Sequence, residues 1–282
     1  SERHQEALAH LLHGLSREGG FILLTGEVGT GKTTICRKFL QNLPESTELA
    51  FVLYPKLSAL ELLATICDEL GIACSADAST KQLIDRLNQH LLAAHGQGKN
   101  TALIIDEAQN LTSDVLEQLR LLTNLETDQK KLLQIILLGQ PELNELLQRP
   151  ELRQLSQRVT ARYHLVPLGR DDVKKYIDFR LGVAGCFRTL FDSHQVRRIH
   201  EASRGIPRLI NLICDRSLLG AYSRNEQTIS GDVVSKAIRE VLGSQTTAKW
   251  WQSPLVGISA LVLVGVFALV GMQWKQSGWP LD

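Results

Sequence analysis

One glycine-rich segment has the residue types and spacing that bind a polyphosphate. Residues 26–33 read GEVGTGKT, which fits the pattern GxxxxGK[ST], between the apolar run Phe21–Thr25 and a helix-like stretch, Thr34–Leu43. In such a loop, backbone N–H groups surround phosphate oxygens, the lysine reaches the β and γ phosphates, and the hydroxyl ligates Mg²⁺. The segment therefore predicts a nucleotide site formed by Gly26, Glu27, Val28, Gly29, Thr30, Gly31, Lys32, Thr33 and Thr34.

Two adjacent carboxylates, Asp106 and Glu107, follow a second apolar run, Leu103–Ile105. A parallel sheet places its ligand site at the carboxyl ends of its strands, which is where the glycine-rich loop also lies. We expect Asp106 to hold Mg²⁺ with Thr33, and Glu107 to orient and deprotonate the attacking water. An acidic pair after a strand is, by itself, more typical of a helix N-terminus. The glycine-rich loop upstream favours the catalytic interpretation.

Two further polar residues are candidates for contacts with the γ-phosphate. Gln140 follows the apolar run Leu133–Leu138, and its amide could contact the γ-phosphate or the attacking water. The glycine and proline on either side of it are equally typical of an ordinary turn. Arg208 follows Pro207 at the predicted start of a helix. A guanidinium near the γ-phosphate stabilises the charge that develops during phosphoryl transfer.

The elements that must position these residues alternate between apolar runs and helical patterns, which is typical of an α/β fold with a parallel sheet. The predicted strands are Phe21–Thr25, Leu49–Leu53, Ala102–Ile105, Leu133–Leu138 and Val159–Leu165. Strand-like runs stop after residue 168, and a smaller all-helical lid is expected from the stretches Val173–Leu181, Gln195–Ala202, Arg208–Leu219 and Val233–Val241.

The segment 254–272 reads PLVGISALVLVGVFALVGM and contains no charged residue. Nineteen residues at about 1.5 Å rise span roughly 28 Å, close to the hydrocarbon thickness of a bilayer. Lysines and arginines are more frequent before the segment than after it, which predicts a cytoplasmic N-terminal region. The expected organisation is an ATPase core at 1–167, a lid at 168–243, a polar linker at 244–253, a single transmembrane helix at 254–272 and a periplasmic stub at 273–282.

Composition narrows the class of protein. The 282 residues carry a formal net charge of +1 and 44% hydrophobic residues, which suits globular domains and excludes disorder and collagen. The near-neutral charge makes nucleic acid an unlikely partner, because binding to it relies on a basic field. Five cysteines without a CxxC pair indicate a reducing compartment rather than a disulfide scaffold.

The strings GEVGTGKTT, DEAQNL, LLGQPEL and GIPRLINLICDRSLLGAY, taken in order, resemble AAA+ ATPases over nearly all of residues 1–243. Together with the apolar segment, they most resemble the general secretion pathway protein A family. That family joins a cytoplasmic AAA+ ATPase to one membrane span and a periplasmic peptidoglycan-binding domain. The resemblance implies a Mg²⁺-dependent, homo-oligomeric ATPase of the inner membrane that supports assembly of the type II secretion secretin. Its implied partners are the B-type membrane protein of the pathway, the secretin and peptidoglycan.

The resemblance also implies roles for single residues. Lys32 and Thr33 would be the Walker A contacts, Asp106 and Glu107 the Walker B pair, Gln140 a sensor 1 candidate, Arg208 the sensor 2 arginine and Arg158 the arginine finger. Two other functions stay open at this point. One is a DNA-associated AAA+ ATPase of the transposition-helper type, which the neutral charge and the apolar segment disfavour. The other is a nucleotide-gated membrane scaffold with little turnover.

Overall fold

A computed structural model describes residues 2–15, 19–53, 56–126 and 131–243. The chain divides into two compact units, Ser1–Cys214 and Asp215–Asp282. Within the described ranges, no helix combines the length and the apolar character needed to cross a bilayer. The predicted linker, transmembrane helix and stub at 244–282 lie outside the described residues. The predicted boundary between core and lid near residue 168 stays a prediction.

The first unit is built on one parallel sheet, as predicted from the alternating pattern. Its strands are β1 (Gly20–Gly26), β2 (Thr47–Val52), β3 (Asn100–Ile105), β4 (Leu133–Gly139) and β5 (Val159–Leu165). Each strand begins and ends within two residues of its predicted bounds. The order across the sheet is β2-β3-β4-β1-β5, and all four pairings are parallel. This order places the carboxyl ends of β1, β3 and β4 side by side.

Helices connect and cover the strands. The helices are α1 (Glu2–Leu15), α2 (Lys32–Leu40), α3 (Ala59–Glu69), α4 (Thr80–Gly96), α5 (Ser113–Leu122), α6 (Glu142–Leu147), α7 (Arg153–Gln157), α8 (Arg170–Val183), α9 (Ser193–Ser203), α10 (Pro207–Ser223) and α11 (Gly231–Leu242). The four helical stretches predicted after residue 168 correspond to α8, α9, α10 and α11. The short helices α5, α6 and α7 were not predicted, because their apolar stripes are brief and lie between strands.

The sheet buries both of its faces, which explains why its central strands read as continuous apolar runs. Phe21 and Leu23 of β1 point into a core closed by helices α3 to α7. Ile22 and Leu24 point to the opposite face, where α1 and α2 supply residues such as Phe39. β1 is therefore fixed from both sides, and the loop that follows it starts from a rigid support.

The described part of the second unit contains the C-terminal end of α10, from Asp215 to Ser223, and the whole of α11. A Cβ atom placed at Gly220 would lie 3.0 Å from Cγ1 of Val233. The glycine thus permits a close approach of the two helices. Val233 and Val234 are buried.

Candidate nucleotide site

The glycine-rich loop lies between the end of β1 and the start of α2. Gly29 and Gly31 have φ angles of +83° and +105°, a left-handed region that L side chains rarely adopt. The backbone N–H and the hydroxyl of Thr30 both donate to the carbonyl of Glu27, at 3.2 and 2.8 Å. The glycines at these positions are therefore required by the backbone path that forms the phosphate loop.

Lys32 begins α2 and is only 7% exposed. Its Nζ donates to the carbonyl oxygens of Gly26 at 2.6 Å and Glu27 at 3.1 Å. Burial lowers the pKa of Lys32, while the nearby carboxylates of Glu107 and Asp106 oppose the shift. The ammonium group is thus held within the loop, where phosphate oxygens could replace the two carbonyls as acceptors.

Asp106 follows β3 and contacts the first turn of α2. Its Oδ2 accepts a hydrogen bond from the Thr33 hydroxyl at 3.3 Å, and its Oδ1 accepts one from the backbone N–H of Glu107 at 2.9 Å. Burial raises the pKa of Asp106, which is 6% exposed. A carboxylate beside a hydroxyl is an oxygen donor pair of the kind that binds Mg²⁺, so these residues fit the metal.

Glu107 is held by two side-chain amides. Its backbone has a φ of 54°, which is uncommon for a residue other than glycine. Gln109 Nε2 donates to Glu107 Oε2 at 2.6 Å, and Gln140 Nε2 donates to the same oxygen at 3.3 Å. The backbone N–H of Gln140 in turn donates to Gln109 Oε1 at 3.0 Å. The structure therefore brings Gln140 to Glu107, as the predicted proximity of the strand ends requires.

Gln109 was missed in the sequence analysis, although it belongs to the string DEAQNL. The available signal was an amide two residues after the catalytic candidate Glu107. The hydrogen-bond partner of a glutamine in that position cannot be inferred until the turn that follows β3 is known. The short 3₁₀ helix at Ala108–Asn110 provides that turn.

Arg208 lies against the phosphate loop. Its backbone N–H donates to the Gly29 carbonyl at 3.3 Å, and a Cβ atom at Gly29 would approach the Arg208 Cβ to 2.7 Å. A cavity of about 510 Å³ is lined by Arg208 together with Lys32, Thr33 and Glu107. The structure thus places these four predicted site residues around one space.

Four other loop residues, Val28, Gly29, Gly31 and Thr34, also line this cavity. An adjoining cavity of about 560 Å³ shares Gly31 and Thr34 with the first and is bordered by His4 of α1 and Tyr176 of α8. The His4 ring lies 3.3 Å from the Thr30 carbonyl through Nε2. The two spaces together offer a charged end and a more apolar end, which is the division that a nucleotide requires.

Arg158 does not line this cavity within its own chain. Its Nη1 donates to the Arg120 carbonyl at 3.1 Å and to the Thr123 hydroxyl at 2.6 Å. Both acceptors lie at the C-terminal end of α5, where the Arg120 carbonyl also accepts from the backbone N–H and the hydroxyl of Thr123. Arg158 thus stabilises the end of that helix. Its predicted role in the site of a neighbouring subunit stays a prediction.

Comparison with known proteins relates this chain to a protein of a secretion pathway. Residues 15–147 match the family model described as an AAA domain. The chain is 53% identical over 264 residues to general secretion pathway protein A of Aeromonas hydrophila, and the match covers 94% of this chain and 48% of that protein. The chain therefore spans about half the length of the curated relative that it matches.

The fold is similar to that of two proteins of known structure. Cdc6p from Pyrobaculum aerophilum superposes with a TM-score of 0.67 at 19% identity, covering 84% of this chain and 66% of that one. The structure of Drosophila ORC bound to DNA gives a TM-score of 0.65 at 19% identity, covering 99% of this chain and 75% of that one. These similarities confirm the predicted P-loop α/β fold and carry no conclusion about substrates.

Proposed function

Because this chain carries an AAA ATPase domain and is related to general secretion pathway protein A, we propose that it hydrolyses ATP on the cytoplasmic side of the inner membrane to support assembly of the type II secretion secretin. The observation that carries the ATPase part is the convergence of Lys32, Thr33 and Glu107 on one cavity, with Asp106 hydrogen-bonded to Thr33 at its edge. The chain is expected to act as a homo-oligomer, as is common for AAA proteins of this kind.

The residues divide the chemistry among them. Lys32 and the loop backbone would bind the β and γ phosphates, and Asp106 with Thr33 would hold Mg²⁺, which would neutralise charge that develops on the phosphate oxygens. Glu107 accepts the proton of the attacking water. Gln109 and Gln140 fix the Glu107 carboxylate by donating to Oε2, which leaves Oε1 available to the water.

Arg208 connects nucleotide state to α10. Its backbone contact with Gly29 holds the start of α10 at the phosphate loop, and its side chain lines the same cavity as Lys32. A cation at this position stabilises the γ-phosphate of bound ATP and senses its loss after hydrolysis. Movement of α10 is the route that we propose for transmitting hydrolysis to the rest of the chain.

The membrane and secretion parts of the proposal rest on the sequence. The uncharged segment 254–272 supports a single-pass anchor, and the 53% identity to general secretion pathway protein A supports a place in that pathway. The expected partners are the B-type membrane protein of the pathway, the secretin and peptidoglycan. Contacts with the last two would be made on the periplasmic side of the membrane.

Reporter fusions and turnover measurements test the proposal together. A reporter that is active only in the periplasm should give activity when fused after Asp282 and none when fused after Ser244. Membranes that contain the chain should hydrolyse ATP in a Mg²⁺-dependent manner, and a Lys32→Ala chain present at the same level should not. Activity only at the Ser244 fusion would contradict the orientation, and turnover that is unaffected by Lys32→Ala would contradict the assigned site.

A further inference from the structure

A groove of about 340 Å³ lies between the C-terminal end of α10 and α11, outside the nucleotide site. Arg216 of α10 and Arg224, which directly follows α10, line it together with Lys236 of α11. One carboxylate, Glu240, also lines the groove, so its side chains carry two more positive than negative charges. A concave site with excess positive charge favours anionic ligands.

These cations are available for a ligand. Arg224 approaches Glu226 at 3.7 Å and Lys236 approaches Glu240 at 3.9 Å, both at the long end of the range for an ion pair. The side chains of these pairs are between 32% and 64% exposed, and ion pairs in water contribute little to stability. Within the described ranges, Arg216 forms no ion pair. An anion could therefore engage all three groups at low cost.

Apolar side chains border the same groove. Leu219 lines it and is 56% exposed, and Tyr222, which is 81% exposed, lies three residues further along α10. Tyrosine is enriched where proteins meet the headgroup region of a bilayer, because its ring is apolar and its hydroxyl is polar. Cationic and amphipathic side chains thus occur together at one place.

The sequence keeps this groove close to the predicted membrane segment. α11 ends at Leu242, and the uncharged segment begins at Pro254. Eleven residues lie between them, and a chain of that length spans at most about 40 Å even when fully extended. The cations of the groove would therefore remain near the bilayer surface at all times, which greatly raises their effective concentration toward lipid headgroups.

We propose that this groove binds the phosphate headgroups of anionic lipids in the leaflet through which the chain enters the membrane. The inference rests on the membrane anchoring proposed above. It gives the second unit a fixed position against the bilayer, from which motion of α10 could act on the membrane segment.

The test uses the full chain of 282 residues in two kinds of lipid nanodisc. One kind contains phosphatidylcholine alone, and the other contains about one third phosphatidylglycerol, an anionic lipid. Hydrogen–deuterium exchange of peptides that cover residues 216–224 and 233–240 is measured in both. We expect slower exchange of these peptides in the anionic discs only, with the difference lost at high salt.

The double variant Arg216→Gln with Lys236→Gln should lose this protection. The salt-sensitive protection in the anionic discs should weaken about fivefold for each cation removed. The matched control is Arg239→Gln, since Arg239 is also an exposed cation of α11 but does not line the groove. Both variants should retain ATP binding and thermal stability, because neither substitution touches the nucleotide site or the core.

Other outcomes overturn the inference. Equal exchange in both kinds of disc would exclude a headgroup site, and protection in both that grows with protein concentration would point to a second copy of the chain. If Arg239→Gln lowers the protection in anionic discs by the same amount, the lipid is attracted by general surface charge and not by the groove. If the chain fails to enter either disc, the anchoring proposal is wrong. Sedimentation with anionic vesicles then tests the groove by itself. Equal sedimentation of the double variant and the unsubstituted chain would overturn the proposed headgroup site.

Discussion

The amide of Gln109 donates a 2.6 Å hydrogen bond to the carboxylate of Glu107, two residues earlier in the chain. The same carboxylate oxygen accepts a second hydrogen bond from Gln140, which follows the neighbouring strand β4. Two amides from different segments of the chain therefore orient the proposed general base through one of its oxygens. Orientation of a base is a separate requirement from its presence.

Removal of Gln109 should separate these two requirements. Gln109→Ala is expected to lower kcat about tenfold or more while leaving ATP affinity unchanged, because hydrogen bonds to a charged group contribute about 1.5–3 kcal/mol. Gln109→Glu should lower kcat further, since it places a second negative charge against Glu107. Turnover and nucleotide titrations measure the two effects. Unchanged or faster turnover in Gln109→Ala would show that the contact does not support catalysis.

Substitutions of Lys32 and of Glu107 should impair different steps, ATP binding in the first case and turnover in the second. Lys32→Ala should abolish tight ATP binding, because it removes the cation that contacts the phosphates. Glu107→Gln should bind ATP normally and lose about 10²–10⁴ in turnover, since the phosphate and Mg²⁺ contacts remain. Equilibrium binding of a fluorescent ATP analogue, followed by single-turnover hydrolysis, distinguishes them. Equal loss of affinity in both would contradict the role assignment.

Arg158 should contribute to the stability of its own chain. Arg158→Ala removes the donor to the Thr123 hydroxyl and one of the donors to the Arg120 carbonyl, both of them bonds from a charged group, which should cost about 1–3 kcal/mol in the free energy of unfolding. Arg162→Ala is the matched control, because Arg162 is exposed and, among the residues that the structure describes, its side chain bonds to Ser156 alone. Urea denaturation compares the two, and equal stability would contradict the capping role.

The predicted trans role of Arg158 has its own test. Mixtures of Arg158→Ala with Glu107→Gln should regain turnover, since some interfaces then pair an intact Glu107 with an intact Arg158. Arg208→Ala mixed with Glu107→Gln should not recover, because Arg208 lines the cavity of its own chain. Specific activity of the unsubstituted protein should rise with concentration. Absence of both the recovery and the concentration dependence would reject the trans role.

Gly205 should be essential for folding near the start of α10. Its φ is +74°, and an added Cβ atom would collide with the backbone carbonyl of Leu168. Gly205→Ala is therefore expected to destabilise the protein by about 3 kcal/mol or more. Gly96→Ala, at the end of α4 with no atom within 4 Å of the added carbon, should be neutral or stabilise by up to about 1 kcal/mol. Similar melting temperatures for the two variants would contradict this difference.

The rate at which each cysteine is alkylated should depend on how deeply its thiol is buried. Burial raises the pKa of both Cys36 and Cys67 to about 12, whereas Cys74, Cys186 and Cys214 are half-buried. At pH 8 about one in ten thousand of a thiol with that pKa is ionised, so Cys36 and Cys67 should resist alkylation until the protein unfolds. Mass spectrometry after timed iodoacetamide treatment measures this, and denatured protein, in which all five should react alike, is the control.

The same shifts predict alkaline sensitivity. A folded-state pKa of about 12 lies above the ordinary value of 9.0, so the folded protein holds these protons more tightly than the unfolded chain. Their contribution to stability is complete below pH 9 and is lost as the pH rises toward 12. A Cys36→Ala variant should therefore show a smaller fall in melting temperature over that range. An identical fall in both proteins would contradict the shift at Cys36.

The sequence by itself determined the strands, the phosphate loop and the position of the acidic pair. Each depends on local rules: apolar runs mark strands buried on both faces, and the glycine positions of the loop follow from the φ angles that it needs. The bounds of β5 were predicted to the residue, and the others to within two. The apolar segment 254–272 was equally plain from composition, although it lies outside the described residues.

Only the tertiary structure decided how these parts meet. The contact of Gln140 with Glu107 requires β4 to lie beside β3, and the strand order is set by the packing of the whole sheet rather than by any one segment. The hydrogen bonds of Arg158 to the end of α5 join residues 35 and 38 positions apart. No local pattern encodes such a pairing, because the same arginine would suit solvent, a neighbouring subunit or a helix terminus until the fold places one of them within reach.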